Sequence, residues 1–345
     1  MSRDRAETPP GAMAAGGTGP ATDHRYRQML AWLETLLKPP FRVEPASLDA
    51  SFRRYFRIHH HDARWIVMDA PPAREDAGRF VRVQGLLASL GITVPAIPAA
   101  DLQAGFLLLD DFGERLYLQA LDAGSADRLY GAALDTLWRL QRADTTSTVT
   151  LPPYDEALLC RELAIFEEWF LSRHLGIELD AGERRLFAGL HELLVASALE
   201  QPRVRVHRDF HSRNLMVLDR GSPGVLDFQD AVVGPVTYDL VSLLRDCYIA
   251  WPAARVRHWC LAYRQRLLGS GLEGPDQTTF LRWFDLLGMQ RHLKAVGIFA
   301  RLHHRDGRSG YLGDIPRTLD YIRQVAGRYA ETREFARWLA RRLPP

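Results

Sequence analysis

The segment 207–228, HRDFHSRNLMVLDRGSPGVLDF, constrains the chain more than any other stretch. It sets His207, Asp209 and Asn214 in the order H-x-D-x-x-x-x-N, and a short apolar run and a Gly- and Pro-containing turn follow. The pattern predicts two short strands joined by a tight turn, with Asp227 at the end of the second strand. A loop that ends in such a hairpin would bring Asp209, Asn214 and Asp227 into one small region.

These three side chains carry the oxygen donors that Mg²⁺ prefers, and Mg²⁺ also keeps several waters. Asp209 lies furthest from the hairpin, so it is the candidate to orient an attacking hydroxyl, while Asn214 and Asp227 are the candidate metal ligands. Protein kinases use the same spacing for the same three roles. An isolated H-x-D would more simply be a strand end, and Asp227 a turn residue. The complete string instead predicts a phosphotransferase.

HRDFHSRN followed by VLDFQDAVVGPVTYDL resembles the aminoglycoside phosphotransferase and choline kinase branch of the kinase-like fold. Gln229 stands where protein kinases have a glycine, and Tyr238-Asp239-Leu240 is typical of that branch. Four further stretches resemble bacterial anomeric sugar kinases, which phosphorylate N-acetylmuramate and N-acetylglucosamine at the anomeric hydroxyl during cell-wall recycling. These stretches are DASFRRYFRI (49–58), MDAPPARED (68–76), GFLLLDDFG (105–113) and GIFARLHHRDGRSGYLGDIPRTLDYI (297–322).

The resemblance implies an α+β, bilobal, protein-kinase-like fold. Its N-lobe, at 23–110, would hold a small antiparallel β-sheet that covers the nucleotide. Its mostly helical C-lobe, at 111–345, would hold the catalytic loop and the substrate pocket. The apolar pattern by itself predicts one continuous helix at 315–342. Residues 1–22 are rich in Gly, Ala, Pro and Thr and are predicted to be disordered.

The bulk properties are ordinary for a soluble globular protein, which we expect in the cytoplasm. The formal net charge of +2 argues against a nucleic-acid binder, which usually concentrates basic charge. No run is long and apolar enough to span a bilayer, and residues 1–22 lack the apolar core of a secretory signal. The scattered Cys160, Cys247 and Cys260 are typical of a reducing compartment. We therefore expect no nucleic-acid, membrane or obligate protein partner.

The predicted N-lobe departs from the protein-kinase pattern at one position. The resemblance implies a hairpin over the nucleotide phosphates, with Ser51 in the turn. The protein-kinase pattern then requires a lysine at the end of a V-A-I-K-like run, and this chain has Met68 there. Its lysines, Lys38 and Lys294, both lie elsewhere in the sequence.

An arginine is the candidate replacement for that lysine. Arg53 or Arg54 is predicted to supply the positive charge, because a guanidinium matches phosphate oxygens in fork geometry. The alternative is that both arginines are solvated strand residues. Glu75 resembles the helix glutamate that pairs with the kinase lysine, but its usual partner is missing here.

The buried strand near 105–109 is the predicted hinge between the lobes. In the family this stretch pairs its backbone with the adenine edge, so the nucleotide-binding candidates are Leu108, Leu109, Asp110 and Asp111. Apolar walls with a few backbone donors and acceptors suit a nucleobase. The two aspartates could equally cap the next helix, and both roles are compatible.

The acceptor pocket is predicted from residues close to the metal aspartate and from the basic stretch 291–311. The candidates are Gln229, Asp230, His292, Arg301 and Tyr311. If the acceptor is N-acetylmuramate, its lactyl carboxylate would require an arginine, for which Arg301 is the candidate. The alternative is that this basic stretch is a solvated helix end, favourable to the helix dipole.

The predicted reaction is transfer of the γ-phosphoryl of ATP to a sugar hydroxyl, with Mg²⁺ as cofactor. His207 and Asp239 are expected to support the catalytic loop structurally. Two alternatives remain open at this point. One is a kinase of another small alcohol, such as an aminoglycoside, choline or homoserine, although a cationic acceptor would favour an acidic pocket. The other is a non-catalytic nucleotide-binding module, which the missing lysine suggests.

Overall fold

A computed structural model describes residues 23–48, 52–142, 149–269 and 275–343 of the chain. The predicted disordered segment 1–22 and Ser51 lie outside these residues. Contacts divide the chain into two compact units. The first holds the described residues up to Ala77 together with Ile97–Asp111, and the second holds Gly78–Ala96 and the chain from Phe112 onward. No helix in the described part of the chain has the length and apolarity that a membrane crossing requires.

The first unit is an antiparallel sheet with one helix packed on it. Helix α1 (His24–Leu36) precedes the strands β1 (Arg42–Leu48), β2 (Arg54–His60), β3 (Ala63–Asp69), β4 (Ala99–Asp101) and β5 (Phe106–Asp110). Their order in the sheet is β1-β2-β3-β5-β4. Met29 and Leu33 of α1 pack with Ile58 and Val67 of the sheet. Strands β2 and β3 pair antiparallel through a turn that contains His61, where φ is +52°.

A buried carboxylate ties α1 to the sheet of the first unit. Asp69, at the end of β3, is fully buried and accepts hydrogen bonds from Arg25 Nε at 2.8 Å and Arg54 Nε at 2.9 Å. Arg54 also pairs with Asp23, the residue that caps the N-terminus of α1. The two arginines therefore compensate the buried charge and hold helix and strand together.

The second unit is mostly helical. Its helix α2 (Ala77–Ser89) belongs to it from Gly78 on. The further helices are α3 (Tyr117–Ala120), α4 (Ala126–Arg142), α5 (Glu156–Ile165), α6 (Ala181–Leu199), α7 (Tyr238–Leu244), α8 (Ala253–Gly269), α9 (Gln277–Asp306), α10 (Ile315–Ala326) and α11 (Arg333–Arg342), and a π-helix at Phe166–His174 continues α5. The strands are β6 (Arg203–Val206), β7 (Leu215–Met216), β8 (Gly224–Val225) and β9 (Val232–Pro235). This helix-rich chain with its small N-terminal antiparallel sheet confirms the predicted fold class.

Residues 78–96 group with the second unit, whereas the sequence analysis assigned them to the N-lobe. The reason is contact with the hairpin that follows the catalytic motif. The Phe80 ring lies 4.7 Å from the Phe228 ring, and Val225 N donates to Thr93 O at 2.8 Å. These pairs are distant in sequence, so no local pattern reveals them.

The predicted continuous helix at 315–342 is wrong, because the structure has two helices there. Helix α10 ends at Ala326, and α11 begins at Arg333 after a 3-10 turn at Ala330–Thr332. Thr332 Oγ1 donates to Ala326 O at 2.9 Å, which satisfies a carbonyl at the end of α10. The side chain of Thr332 thus stabilises the break between the two helices.

Helix α9 crosses the second unit and approaches the α5–π-helix junction closely at Gly297. A Cβ at position 297 would lie 2.6 Å from Ile165 O and 2.7 Å from Phe166 N, which are backbone atoms. We therefore expect Gly297→Ala to lower the free energy of unfolding by about 1–3 kcal/mol, the usual cost of overpacking. Urea denaturation followed by circular dichroism measures the change.

Gly189→Ala is the matched control for that substitution. Gly189 is an exposed residue within α6, and a Cβ there would meet no atom within 4 Å. Helix propensity alone should raise the free energy of unfolding by about 1 kcal/mol. Equal stability changes for the two variants would contradict the close packing at Gly297.

Candidate active site

The H-x-D-x-x-x-x-N motif forms the loop between β6 and β7. Strand β6 pairs antiparallel with β9, and β7 pairs with β8, so both ends of the loop are anchored in small sheets. Asp209 and Asn214 lie in this loop, and Asp227 follows two residues after β8. All three side chains are half-buried, so solvent and ligands can reach them.

Hydrogen bonds bring Asp209, Asn214 and Asp227 together. Asn214 Nδ2 donates to Asp209 O at 3.0 Å and approaches Asp227 Oδ2 at 3.4 Å. The Asn214 carbonyl accepts from Leu226 N at 2.9 Å, which holds the loop against the hairpin. Asp227 has a φ of +59°, a left-handed conformation that non-glycine residues adopt mostly where the surroundings enforce it.

The donor set fits a hard divalent cation. The side chains of Asn214 and Asp227 are neighbours, with Asn214 Nδ2 3.4 Å from Asp227 Oδ2, and together they carry one amide and two carboxylate oxygens. Gln229 Nε2 donates to Asp227 Oδ1 at 2.9 Å, while its buried Oε1 accepts no hydrogen bond from the described residues. No cluster of three or more His, Cys, Asp or Glu side chains suited to a metal occurs among those residues. A site with two or three protein oxygens instead suits Mg²⁺, which completes its shell with water and phosphate.

His207 and Asp239 contact the backbone of the loop. Asp239 accepts hydrogen bonds from His207 N at 2.6 Å and Arg208 N at 3.0 Å, and His207 Nε2 bonds with Leu226 O at 3.0 Å. Burial lowers the pKa of His207 to about 4, so its imidazole is neutral at pH 7. Burial also raises the pKa of Asp239 to about 7, against the effect of the two backbone donors. Both side chains therefore lie where they can hold the loop in place.

The raised pKa of Asp239 predicts a pH-dependent stability. Below the ordinary pKa of about 3.9 the group is protonated in both states, and between about pH 4 and pH 7 only the folded state binds the proton. This contribution therefore decreases as the pH rises from 4 to 7, by up to about 1.4 kcal/mol per pH unit. Asp239→Asn should remove that decrease.

Urea denaturation of the wild type and the Asp239→Asn variant at several pH values between 4 and 8 measures the effect. The difference in the free energy of unfolding between the two proteins cancels the other titrating groups. A difference that stays constant across this range would contradict the raised pKa.

A buried ionic network lies beside the loop. Glu162 of α5 is almost fully buried and pairs with Arg208 at 2.7 Å and with Lys294 of α9 at 2.8 Å. Lys294 Nζ also donates to the Tyr238 hydroxyl at 3.2 Å. The sequence analysis did not predict this network. The one signal in the sequence was that Lys294, one of two lysines in the chain, lies in a mostly apolar stretch of a predicted helix.

The cations of this region act on Asp209. Burial by itself raises the pKa of Asp209, but the positive charges of Lys294, Arg291 and Arg208 and the nearby His211 bring it below its ordinary value. Asp209 is therefore ionised at neutral pH and can accept a hydrogen bond from a hydroxyl. Arg208 reaches Glu162 from a backbone with a φ of +79°.

The middle of the loop docks on residues 246–248. Ser212 donates to Asp246 Oδ2 from its backbone N at 2.9 Å and from its hydroxyl at 2.5 Å. The rings of His211 and Tyr248 meet edge to face at 5.3 Å, and the Arg213 guanidinium lies 3.7 Å from the centre of the Tyr248 ring. The conformation of the loop is thus fixed on both sides of Ser212.

The predicted acceptor residues occupy different environments. Gln229 contacts Asp227, and Asp230 is half-exposed in an ion pair with Arg79 at 3.2 Å. Tyr311 stacks on Phe299 at 5.7 Å and faces Arg213 at 5.4 Å.

Two other acceptor candidates have neighbours outside the catalytic loop. His292 is fully buried, stacks on Tyr321 at 4.8 Å and bonds with Arg245 O, so this position supports helix packing rather than ligand contact. The charges that act on Arg301 are those of Arg305, Asp306 and Glu168, which lie on α9 and the π-helix.

The nucleotide-binding candidates lie in the first unit. Arg53 is buried beside Glu75 at 3.9 Å, and Glu75 Oε1 also accepts from Phe52 N at 3.1 Å. Arg54 forms ion pairs with Asp69 and Asp23, which argues against a role in binding the nucleotide phosphates.

The predicted hinge residues begin on β5 of the same unit. Leu108 and Leu109 are buried strand residues, and Asp110 ends the strand. Strand β3 pairs with all of β5, whereas β4 pairs only with Phe106–Leu108. Asp111 pairs with Arg57 at 2.8 Å, so its side chain has a structural partner within the unit.

Comparison with known proteins identifies the family of this chain. The phosphotransferase enzyme family (APH) matches residues 42–281. An N-acetylmuramate/N-acetylglucosamine kinase from Pseudomonas aeruginosa is 48% identical over 92% of this chain and 97% of its own length, and another from Neisseria meningitidis is 43% identical over 89% and 92%. A choline kinase from Streptococcus pneumoniae shares the fold, with a TM-score of 0.61 at 13% identity over 88% of this chain and 100% of its own. The chain therefore belongs to the phosphotransferase enzyme family, and it is a kinase by its relatives and by its catalytic motif.

Proposed function

We propose that this kinase transfers the γ-phosphoryl of ATP to the anomeric hydroxyl of N-acetylmuramate and N-acetylglucosamine in cell-wall sugar recycling. The observation that carries the proposal is the assembly of Asp209, Asn214 and Asp227 around one hydrogen-bonded loop. Relatives at 43–48% identity, matched over most of their length, are named as kinases of these two sugars. The cytoplasm is the proposed location, because the reaction consumes ATP and the three cysteines are free.

In the proposed reaction, the ionised Asp209 accepts a hydrogen bond from the anomeric hydroxyl and aims its oxygen at the γ-phosphorus. The lowered pKa of Asp209 suits this orienting role and makes the group a weak base. That is sufficient in phosphoryl transfer, because its loose transition state demands little proton removal before the bond forms. The network of Glu162, Arg208 and Lys294 keeps the loop in place, and its two cations help to keep Asp209 ionised.

Asn214 and Asp227 would hold Mg²⁺, with Gln229 fixing the orientation of the Asp227 carboxylate. A cation held there would supply positive charge that offsets the negative charge developing on the phosphate oxygens. Most of the rate enhancement then comes from positioning and electrostatics.

Arg53 is the proposed cation for the nucleotide phosphates. Its neighbour Glu75 precedes helix α2, and the two side chains would form an Arg–Glu pair in place of the usual Lys–Glu pair. Arg54 is the weaker candidate, because two carboxylates already engage it. The backbone of Leu109 and Asp110, which extends beyond the end of β4, is the proposed partner of the adenine edge.

A kinase of a different small alcohol is the second candidate, since an aminoglycoside phosphotransferase and a choline kinase share the fold. The charges near Asp209 argue against a cationic acceptor. Lys294, Arg291 and Arg208 all lower the pKa of Asp209, and Glu162 pairs with two of them, so the site offers a cationic substrate less attraction than an acidic pocket would. A neutral or anionic sugar fits this potential better.

A substrate screen tests the proposal. The purified chain is incubated with ATP, Mg²⁺ and, in separate reactions, N-acetylmuramate, N-acetylglucosamine, choline and kanamycin, and ADP release is followed in a coupled assay. We expect turnover with the two amino sugars and a phosphorus-coupled NMR signal at the anomeric carbon. Turnover with choline or kanamycin alone, or phosphorylation at another carbon, would overturn the proposal.

A further inference from the structure

We propose that Arg213 binds the carboxylate of the acceptor and so determines how well the enzyme uses an acidic sugar relative to a neutral one. This inference rests on the proposed function and assigns the recognition of N-acetylmuramate to one side chain. N-acetylmuramate carries a lactyl carboxylate, and N-acetylglucosamine has a neutral hydroxyl at the same carbon. An arginine that contacts this group would therefore favour the first sugar alone.

The guanidinium of Arg213 is held in place before any ligand arrives. Its carbon lies over the Tyr248 ring, 3.7 Å from the ring centre, and 5.4 Å from the centre of the Tyr311 ring. The preceding residue, Ser212, is fixed to Asp246 by two hydrogen bonds, and Asp246 also binds Tyr248 N at 2.9 Å. Such preorganisation lowers the entropic cost of binding an anion.

The guanidinium also keeps donors for a ligand. Its ion pair within the described residues is with Asp314, at 3.8 Å, which is longer than a hydrogen bond. Asp314 is already engaged by Arg317 at 3.1 Å. Arg213 is about one-third exposed, with 37% of its side-chain surface accessible, so an incoming carboxylate could form the bidentate pair that Asp314 does not.

Arg213 lies on the loop that carries the chemistry. It is adjacent to the metal candidate Asn214 and four residues from Asp209, so the Cα atoms of Arg213 and Asp209 are at most about 14 Å apart. The half-buried Tyr311 ring lies beside it and stacks on the buried Phe299, so one accessible aromatic side chain borders the guanidinium. A sugar bound beside Tyr311 could reach the guanidinium with one end and Asp209 with the other.

Arg301, which the sequence analysis favoured for this role, has a different setting. Its neighbouring charges, Arg305, Asp306 and Glu168, are on α9 and the π-helix and outside the catalytic loop. Replacing each arginine in turn therefore shows which of them contacts the carboxylate of the acceptor.

The test compares kcat/KM for N-acetylmuramate, its methyl ester and N-acetylglucosamine. Arg213→Met keeps an unbranched apolar side chain against Tyr248 but removes the charge. Loss of a charge-assisted hydrogen bond predicts a decline of about 30-fold for N-acetylmuramate beyond any decline for N-acetylglucosamine, mainly through KM. Arg213→Lys should recover part of this difference, because it restores the charge without the fork geometry.

The methyl ester provides the same comparison in the wild-type enzyme, without any risk to folding. In the wild type, esterification should lower kcat/KM about as much as Arg213→Met lowers it for N-acetylmuramate. In the Arg213→Met variant, esterification should change kcat/KM little. Arg266→Met, which removes a surface pair with Asp135, is the control for loss of an arginine.

Equal declines for both sugars in Arg213→Met would show a structural role and overturn this inference, as would a selective decline in Arg301→Met. Equal kcat/KM values of the wild type for N-acetylmuramate and its methyl ester would also overturn it. Failure of the wild type to phosphorylate either sugar would overturn the proposed function itself, and that result is distinguishable from the others.

Discussion

Asp209→Asn should lower kcat by about 10³-fold while leaving the affinity for ATP within about threefold. The asparagine keeps the size of the side chain but cannot accept the acceptor's hydroxyl proton, a contribution that ranges over about 10²–10⁴-fold in enzymes. ATP affinity should persist, because Asn214 and Asp227, rather than Asp209, are the proposed metal ligands. Steady-state kinetics with either amino sugar and a nucleotide-binding titration measure the two quantities.

Asp219→Asn is the matched control for this substitution. Asp219 is an exposed residue in the turn of the hairpin that also leads to Asp227, and the same chemical change there should leave kcat within about twofold. Turnover by Asp209→Asn at the rate of the control would contradict the role of Asp209. Loss of ATP affinity equal to the loss of kcat would instead assign Asp209 to nucleotide binding.

The pH profile of the wild type gives a further check on Asp209. The net effect of the surrounding cations keeps the pKa of Asp209 below its ordinary value of about 3.9. The carboxylate therefore stays ionised between pH 5 and pH 8. We expect no decline of kcat between pH 8 and pH 5 from titration of Asp209.

The parts of the site that the sequence predicted are those that depend on short separations along the chain. His207, Asp209 and Asn214 are within eight residues of one another, and a single hairpin brings Asp227 back to them. The turn chemistry and strand pattern of 207–228 are sufficient to predict that closure. Tight local geometry leaves few other arrangements for these side chains.

The parts that sequence reasoning did not predict depend on distant contacts. Glu162 and Lys294 are separated by more than a hundred residues, and their pairing follows only from the packing of α5 against α9. The assignment of α2 to the second unit likewise depends on Phe80 meeting Phe228. Periodicity predicts that such helices exist but carries no information about which helices meet.

Glu162→Gln should lower the free energy of unfolding by about 3–5 kcal/mol, the usual cost of removing one partner from a buried ion pair. Glutamine retains the size and can still bond with Tyr154 and Gln290, but it leaves Arg208 and Lys294 buried without their counter-charge. Glu168→Gln is the control, because Glu168 is exposed and its pair with Arg173 at 3.4 Å should contribute less than 1 kcal/mol.

The pH dependence of this destabilisation follows from the pKa of Glu162. Burial raises that pKa, but the nearby Lys294 and Arg208 lower it by more. The folded-state pKa therefore lies below the ordinary value of about 4.3. The stabilisation by Glu162 is thus complete above about pH 4.3 and is lost as the pH falls through the folded-state pKa. Urea denaturation at pH 7 and pH 3.5 should show a smaller difference between wild type and Glu162→Gln at the lower pH.

A double-mutant cycle separates the ionic network from a simple loss of packing. Adding Lys294→Met to Glu162→Gln removes one of the two uncompensated cations, so the double variant should be more stable than the sum of the two single changes predicts. Strictly additive changes would show that Glu162 and Lys294 contribute independently. The cycle therefore tests whether the charge beside Asp209 is balanced by Glu162, which is the arrangement that keeps the catalytic loop folded around its aspartate.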